Sequence, residues 1–217
     1  MNRRVCVIMC AVLITFYLVP AATSAEKLEP VTLVKPQTSG GKPLLEALAK
    51  RKSTRAFDAR KLPVQTLSNL LWAADGINRP DSGKRTAPSA VNWQGIGIYV
   101  ATAEGLYLYD AKANRLDPVL AKDIRANAGE QPFVKTAPVV LIYVADYAKM
   151  GDSPQDKKDF YSATDTGFIS QNVYLYCASE GLATVVLGWV DKPALAKTMK
   201  LRDDQKIILT QPVGYPK

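Results

Sequence analysis

Arg51-Lys52-Ser53-Thr54-Arg55, with Phe57 and Asp58 behind it, packs three cations and two hydroxyls into five residues. A guanidinium fork binds a phosphate through paired N–H groups, and Ser or Thr hydroxyls complete its hydrogen bonds. Alone, the stretch reads first as a basic helix end that complements the dipole and sits in water. It lies between two apolar helical patterns, Leu44, Leu45 and Leu48 before it and Leu67, Leu70 and Leu71 after it. Three later stretches give it company: Pro88-Ser89-Ala90-Val91-Asn92-Trp93-Gln94, then Gly181 to Gly188, then Pro212-Val213-Gly214.

Upstream, Pro43 suits the first turn of a helix whose apolar face is Leu44, Leu45, Leu48 and Ala49. Residues 26–42, rich in Pro, Gly, Thr and Ser, read as an extended arm. Downstream, Leu62-Pro63 opens a helix with Val64, Leu67, Leu70, Leu71 and Ala74 on one face. Residues 78–87 read as a mobile polar loop. Alternation from Gly95 to Ala101 predicts a strand, and residues 106–109 return as a hairpin. A short helix is expected over 121–128. The unbroken apolar run from Pro138 to Ala145 predicts a strand buried on both faces. Residues 151–159 read as a loop, and 160–180 as the longest helix. Thr184 to Leu187 reads as a short strand, Asp191 as a helix cap with Pro193 in the first turn, and 206–213 as the last strand. The pattern is α+β.

The chain has 217 residues, enough for one domain with a proper core. Residues 1–25 contain Arg3 and Arg4, an apolar run from Val5 to Val19, and small residues before Ala25. That is the layout of a signal peptide, with the run short for a spanning helix. It predicts an exported protein, periplasmic or secreted, with no stable membrane insertion after cleavage and a domain over 26–217. The domain would keep 26 of the 28 basic residues against all 20 acidic ones, a net of +6. The bases are scattered, which argues against a nucleic-acid stripe. The chain has no histidine. That excludes Ser-His-Asp catalysis, His-paired cysteine nucleophiles and His-based metal sites, and no metal is expected. Chemistry carried by a flavin loses nothing by this. Cys177, in a helical pattern, reads as a small buried apolar residue.

The basic stretch, the Pro88–Gln94 stretch, the Gly181–Gly188 stretch and Pro212-Val213-Gly214, in this order, resemble the nitroreductase superfamily of FMN-dependent oxidoreductases. Residues 67–77 and 105–110 look closest to its azoline-dehydrogenase-like branch. The resemblance implies a mostly antiparallel central sheet flanked by helices, and a homodimer with FMN bound by both subunits. It implies that Arg51, Lys52, Ser53 and Arg55 hold the phosphate and the pyrimidine edge. Pro88, Ser89, Ala90 and Asn92 would reach the flavin from the other subunit, and Leu187 and Gly188 would lie beside its reactive N5 edge. No side chain is expected to be catalytic, since flavin N5 carries the chemistry. The expected partners are a small-molecule electron donor and acceptor in two-electron, ping-pong transfer to a nitroaromatic, quinone or similar compound. The alternative is a non-catalytic FMN-binding or flavin-scavenging envelope protein; a further one is a structural dimer that has lost the flavin. Two departures stand out. Many relatives carry a basic phosphate ligand in a tail beyond the last strand; here that ligand is either missing or Lys217 itself. The Lys-Tyr pair of azoline dehydrogenases is missing, since Met150 follows Lys149 and Asp159 follows Lys158.

Overall fold

A computed structural model describes residues 27–217, so the expected signal segment lies outside the described residues. The longest strand, β10 (Gln205–Pro216), is the spine. One edge pairs with β8 (Val139–Asp146). Beyond β8 come β5 (Ile96–Ala101), β6 (Leu106–Asp110), β7 (Arg115–Leu120) and β1 (Val31–Thr32). The other edge of β10 takes β2 (Phe57–Asp58), β9 (Ala183–Thr184) and a single bridge from Leu187 to Thr210. All pairings within this sheet are antiparallel.

Strand β8 is buried on both faces, as its unbroken apolar run predicts. Successive side chains point to opposite faces of a sheet. Val139, Leu141, Tyr143 and Ala145 therefore pack on one side with Leu67, Leu70, Leu71 and Ala74 of α2 (Val64–Asp75) and with Ile169, Val173 and Cys177 of α3 (Gln155–Glu180). Val140, Ile142 and Val144 pack on the other with Phe57, Leu187, and Leu195 and Met199 of α4 (Lys192–Met199). Asp191 caps α4 by accepting from the Ala194 N–H at 3.0 Å, with Pro193 in the first turn.

Several expectations change. The face Leu44, Leu45 and Leu48 of α1 (Leu44–Lys50) is not the buried one: Ala47 is buried, while Leu45 is 79% exposed. Periodicity reveals an apolar face without saying whose core it enters. Residues 78–87 are not an irregular loop, because β3 (Ile77–Arg79) pairs with β4 (Lys84–Arg85). Over 121–128 only Arg125–Asn127 coils, as one 3-10 turn. Helix α3 starts at Gln155, so most of the loop expected over 151–159 is its first turn.

Candidate functional site

The basic stretch leaves α1 in extended form and runs beside the β10 edge. The Thr54 N–H donates to the Thr184 carbonyl at 2.9 Å, so the first motif lies against the third. Tyr174 of α3 ties them together. Its hydroxyl shares a hydrogen bond with the Ser53 hydroxyl (2.9 Å) and accepts from the Val186 N–H (2.9 Å). The Arg51 guanidinium lies over the Tyr174 ring, 5.2 Å from its centre. Among the described residues Arg51, Lys52 and Arg55 make no ion pair. Three uncompensated cations beside one hydroxyl suit an external anion.

Lys217 joins them. Its N–H donates to the Ala56 carbonyl at 3.3 Å, and with Lys52, Thr54 and Tyr174 it lines a cavity of about 690 Å³. The position expected to stand in for a phosphate ligand is therefore beside the first motif.

At the third motif Leu187 is buried, and its N–H and carbonyl are both bonded to Thr210 (2.8 and 3.0 Å). It fixes the edge and offers no free donor. Among the described residues the Gly188 N–H makes no hydrogen bond, and Gly188 is exposed. A Cβ at position 188 would meet only Leu209 Cδ2, at 3.7 Å, an ordinary contact. Nothing inside the fold requires glycine there, so the room it leaves faces outward. The first and third motifs thus fit FMN: cations and a hydroxyl for a phosphate, and an open backbone N–H beside a planar group.

The second motif lies elsewhere. The Ala90 N–H donates to both carboxylate oxygens of Asp165 (3.3 and 3.2 Å), and Ser89 Oγ accepts from the Gln94 N–H at 2.8 Å. Burial raises the Asp165 carboxyl, with the Ala90 and Ser89 hydrogen bonds partly offsetting it. Pro88 is exposed, as is Asn92, whose Oδ1 accepts from Gln94 Nε2 at 3.2 Å. Asp165 and Tyr174 both sit on α3, about 13 Å apart along its axis and about half a turn apart around it. The chain therefore holds Asn92 and Arg51 on opposite sides of α3. The structure brings Arg51, Lys52, Ser53, Leu187 and Gly188 into one neighbourhood, and Arg55 lies exposed at its margin. It does not bring Pro88, Ser89, Ala90 and Asn92 to that place.

Sequence reasoning missed Tyr174 and Asp165. Tyr174 stands next to Val173 in an apolar helical pattern, where an aromatic residue reads as core. Cys177 is buried and burial pushes its thiol far up, so it has no thiolate chemistry.

Comparison with known proteins shows the family. The profile of the Nitroreductase family matches residues 48–215. A protein of Methanocaldococcus jannaschii described as a nitroreductase is 31% identical over 181 residues, covering 79% of this chain and 90% of that one. A crystal structure from Ralstonia eutropha JMP134, also described as a nitroreductase, superposes with a TM-score of 0.84 at 42% identity, over 91% of this chain and 93% of that chain. The NADPH:FMN oxidoreductase of Vibrio harveyi, in complex with NAD+, shares the fold at a TM-score of 0.61 and 20% identity, over 80% of this chain and 69% of that chain. With a family match over most of its length, this chain belongs to the nitroreductase family.

Proposed function

We propose that this protein is an FMN-dependent oxidoreductase that moves two electrons between small organic molecules, and that it works as a homodimer. The observation that carries the reading is the set of uncompensated cations, Arg51, Lys52 and Arg55, beside Ser53 and the open Gly188 N–H. When bound, FMN supplies the redox centre at its N5 edge. Arg51, Lys52, Ser53 and Lys217 would hold its phosphate, and Arg55 would take the pyrimidine edge. Tyr174 holds Ser53 and the Val186–Gly188 segment in register, and the Gly188 N–H would be a donor to the flavin. The Vibrio harveyi relative, an FMN oxidoreductase by name, supports the choice of cofactor.

The dimer follows from the split site. The outward face of α3 carries Phe160 (64% exposed), Ala163, Gly167 and Phe168 (44% exposed). Gly167 has no atom within 4 Å of where a Cβ would stand, yet glycine inside a helix costs about 1 kcal/mol. Close approach of a second copy accounts for it, and brings the partner's second motif, with Asn92, to the flavin bound by the first.

The finer placement, in the azoline-dehydrogenase-like branch, rests on residues 67–77 and 105–110. Azoline oxidation is left out of the proposal. Lys149 is followed by Met150 and bonds the Gln94 carbonyl at 3.2 Å, and Lys158 lies inside α3. Export through residues 1–25 is part of the proposal. No helix of the described residues is long and apolar enough to cross a membrane.

The test is to denature the purified protein and identify the released chromophore by mass, then to reduce the holoprotein and add a nitroarene or quinone. FMN with rapid reoxidation supports the enzyme. FMN without reoxidation by any acceptor favours the flavin-scavenging alternative, and no flavin defeats both.

A further inference from the structure

The loop that presents Asn92 is backbone-strained. Val91, Asn92 and Gln94 have φ of 51°, 58° and 47°, all in the left-handed region. A non-glycine residue there is strained, a β-branched one most of all, and persists only where its surroundings over-determine it. Val91 is β-branched and 82% exposed, so its own packing does not hold it there.

Asp165 holds the start of the loop through the Ala90 N–H, and Ser89 Oγ and Lys149 bond the Gln94 backbone; the Gln94 side chain is held by a chain of bonds ending on a second buried carboxylate. Gln94 Nε2 donates to the Gly83 carbonyl (3.0 Å) and to Asn92 Oδ1 (3.2 Å). Gln94 Oε1 accepts from Arg85 Nε at 3.1 Å. Arg85 Nη1 donates to the Asp75 carbonyl (2.8 Å) and to Asp75 Oδ2 (3.3 Å). Asp75 closes α2, is only 7% exposed, and lines a cavity of about 120 Å³ with Arg85, Gln94, Tyr109 and Lys149.

We propose that Asp75 is a positioning residue that sets, through Arg85 and Gln94, the conformation of the loop presenting Asn92. The inference rests on the reading of Asn92 as a flavin contact for its effect on affinity, though not for its effect on the loop. The planar fork of Arg85 is what couples the two ends, since one guanidinium bonds both Asp75 and Gln94. Arg85 is always charged, so ionising Asp75 turns its bond to Oδ2 into a full ion pair, and the strap is tightest in that state.

That ionisation falls in an accessible range. Burial raises Asp75 to about 7, against the pull of Arg85 on β4 and Lys149 on the turn after β8 and with a further push from Asp165 on α3. Tyr109 on β6 also faces it, and the cavity includes Asp146 on β8 and Tyr99 on β5. The chain has no histidine to titrate over the same range. The loop is therefore held above about pH 7 and loosened below it.

The experiment follows amide hydrogen exchange of the peptide covering 88–95 in the flavin-free protein, corrected for intrinsic rates, alongside FMN affinity from about pH 6 to 8.5. In the wild type, protection should rise about threefold or more with a midpoint near 7, and Asp75→Asn should flatten the curve. The FMN phosphate titrates near pH 6 in either protein, so it cancels in the ratio of the two affinities. That ratio should change with the same midpoint. Arg85→Lys keeps a cation beside Asp75 but loses the fork, and should abolish the pH dependence of exchange even if Asp75→Asn fails to fold. A pH-independent wild-type loop, or full pH dependence in Arg85→Lys, overturns the proposal. A protein that binds no FMN but shows the predicted exchange sinks the cofactor reading and leaves this one standing.

Discussion

Arg51 and Gly188 do different work at the proposed flavin site, and their variants should behave differently. Arg51 with Arg55 supplies charge-assisted bonds worth about 1.5–3 kcal/mol each. Replacing both by Ala should lower FMN affinity at least about tenfold in a fluorescence titration; unchanged affinity would remove both cations from the proposed flavin site. Gly188→Ala adds a Cβ whose only neighbour is Leu209, so thermal stability should stay within about 0.5 kcal/mol of wild type. Flavin affinity should nonetheless fall, because the open side faces the ligand. A stable variant with wild-type affinity would place the flavin elsewhere. Asp75 makes a third test, by denaturant unfolding. A carboxyl raised in the folded state keeps its proton where the unfolded chain has lost it, so Asp75 lowers stability as pH rises from about 4 to 7. Asp75→Asn should therefore gain on wild type across that window, and a pH-independent difference would show that Asp75 is not raised. At this scale the sequence showed the cations, because three bases and two hydroxyls in five residues stand out. It hid Tyr174, because a tyrosine at helical spacing looks like core, and Asp75, because a single acid near a helix end looks like surface.

Helix α3 is the element that separates the two halves of the site. Asp165 anchors the Asn92 loop on one side of it and Tyr174 anchors the basic stretch on the other. Phe168→Arg, at a position 44% exposed in the protomer, should leave folding intact while blocking a second copy. Light scattering should then show a monomer, and flavin affinity should fall with dimerisation; a dimer with bound flavin would place the interface elsewhere. Most elements were legible from periodicity and from caps such as Asp191. Strand β7 was not, because Pro118 interrupts its alternation and its exposed half lacks an apolar face. The leucines of α1 were legible as one apolar face, but that face is exposed and Ala47 is the residue that α1 buries. The same apolar stripe serves a core or an interface, and only the packed structure distinguishes them.

For the whole molecule, the fold places one deep edge, where β10 meets β2, β9 and the Leu187 bridge, beneath the basic stretch. An exported protein of this kind would meet little NAD(P)H, so we expect a quinol, or the substrate itself, as the reductant. Stopped-flow mixing with NADH or NADPH should accordingly give slow reduction of the holoprotein, whereas fast reduction at micromolar donor would favour a cytoplasmic partner. The central claim is that two copies share each flavin. Native mass spectrometry of the purified protein tests it in one spectrum. The account predicts a dimer carrying one FMN per protomer, with flavin lost whenever the dimer is dissociated. A monomer that retains stoichiometric FMN, or a dimer that takes up none, would contradict it.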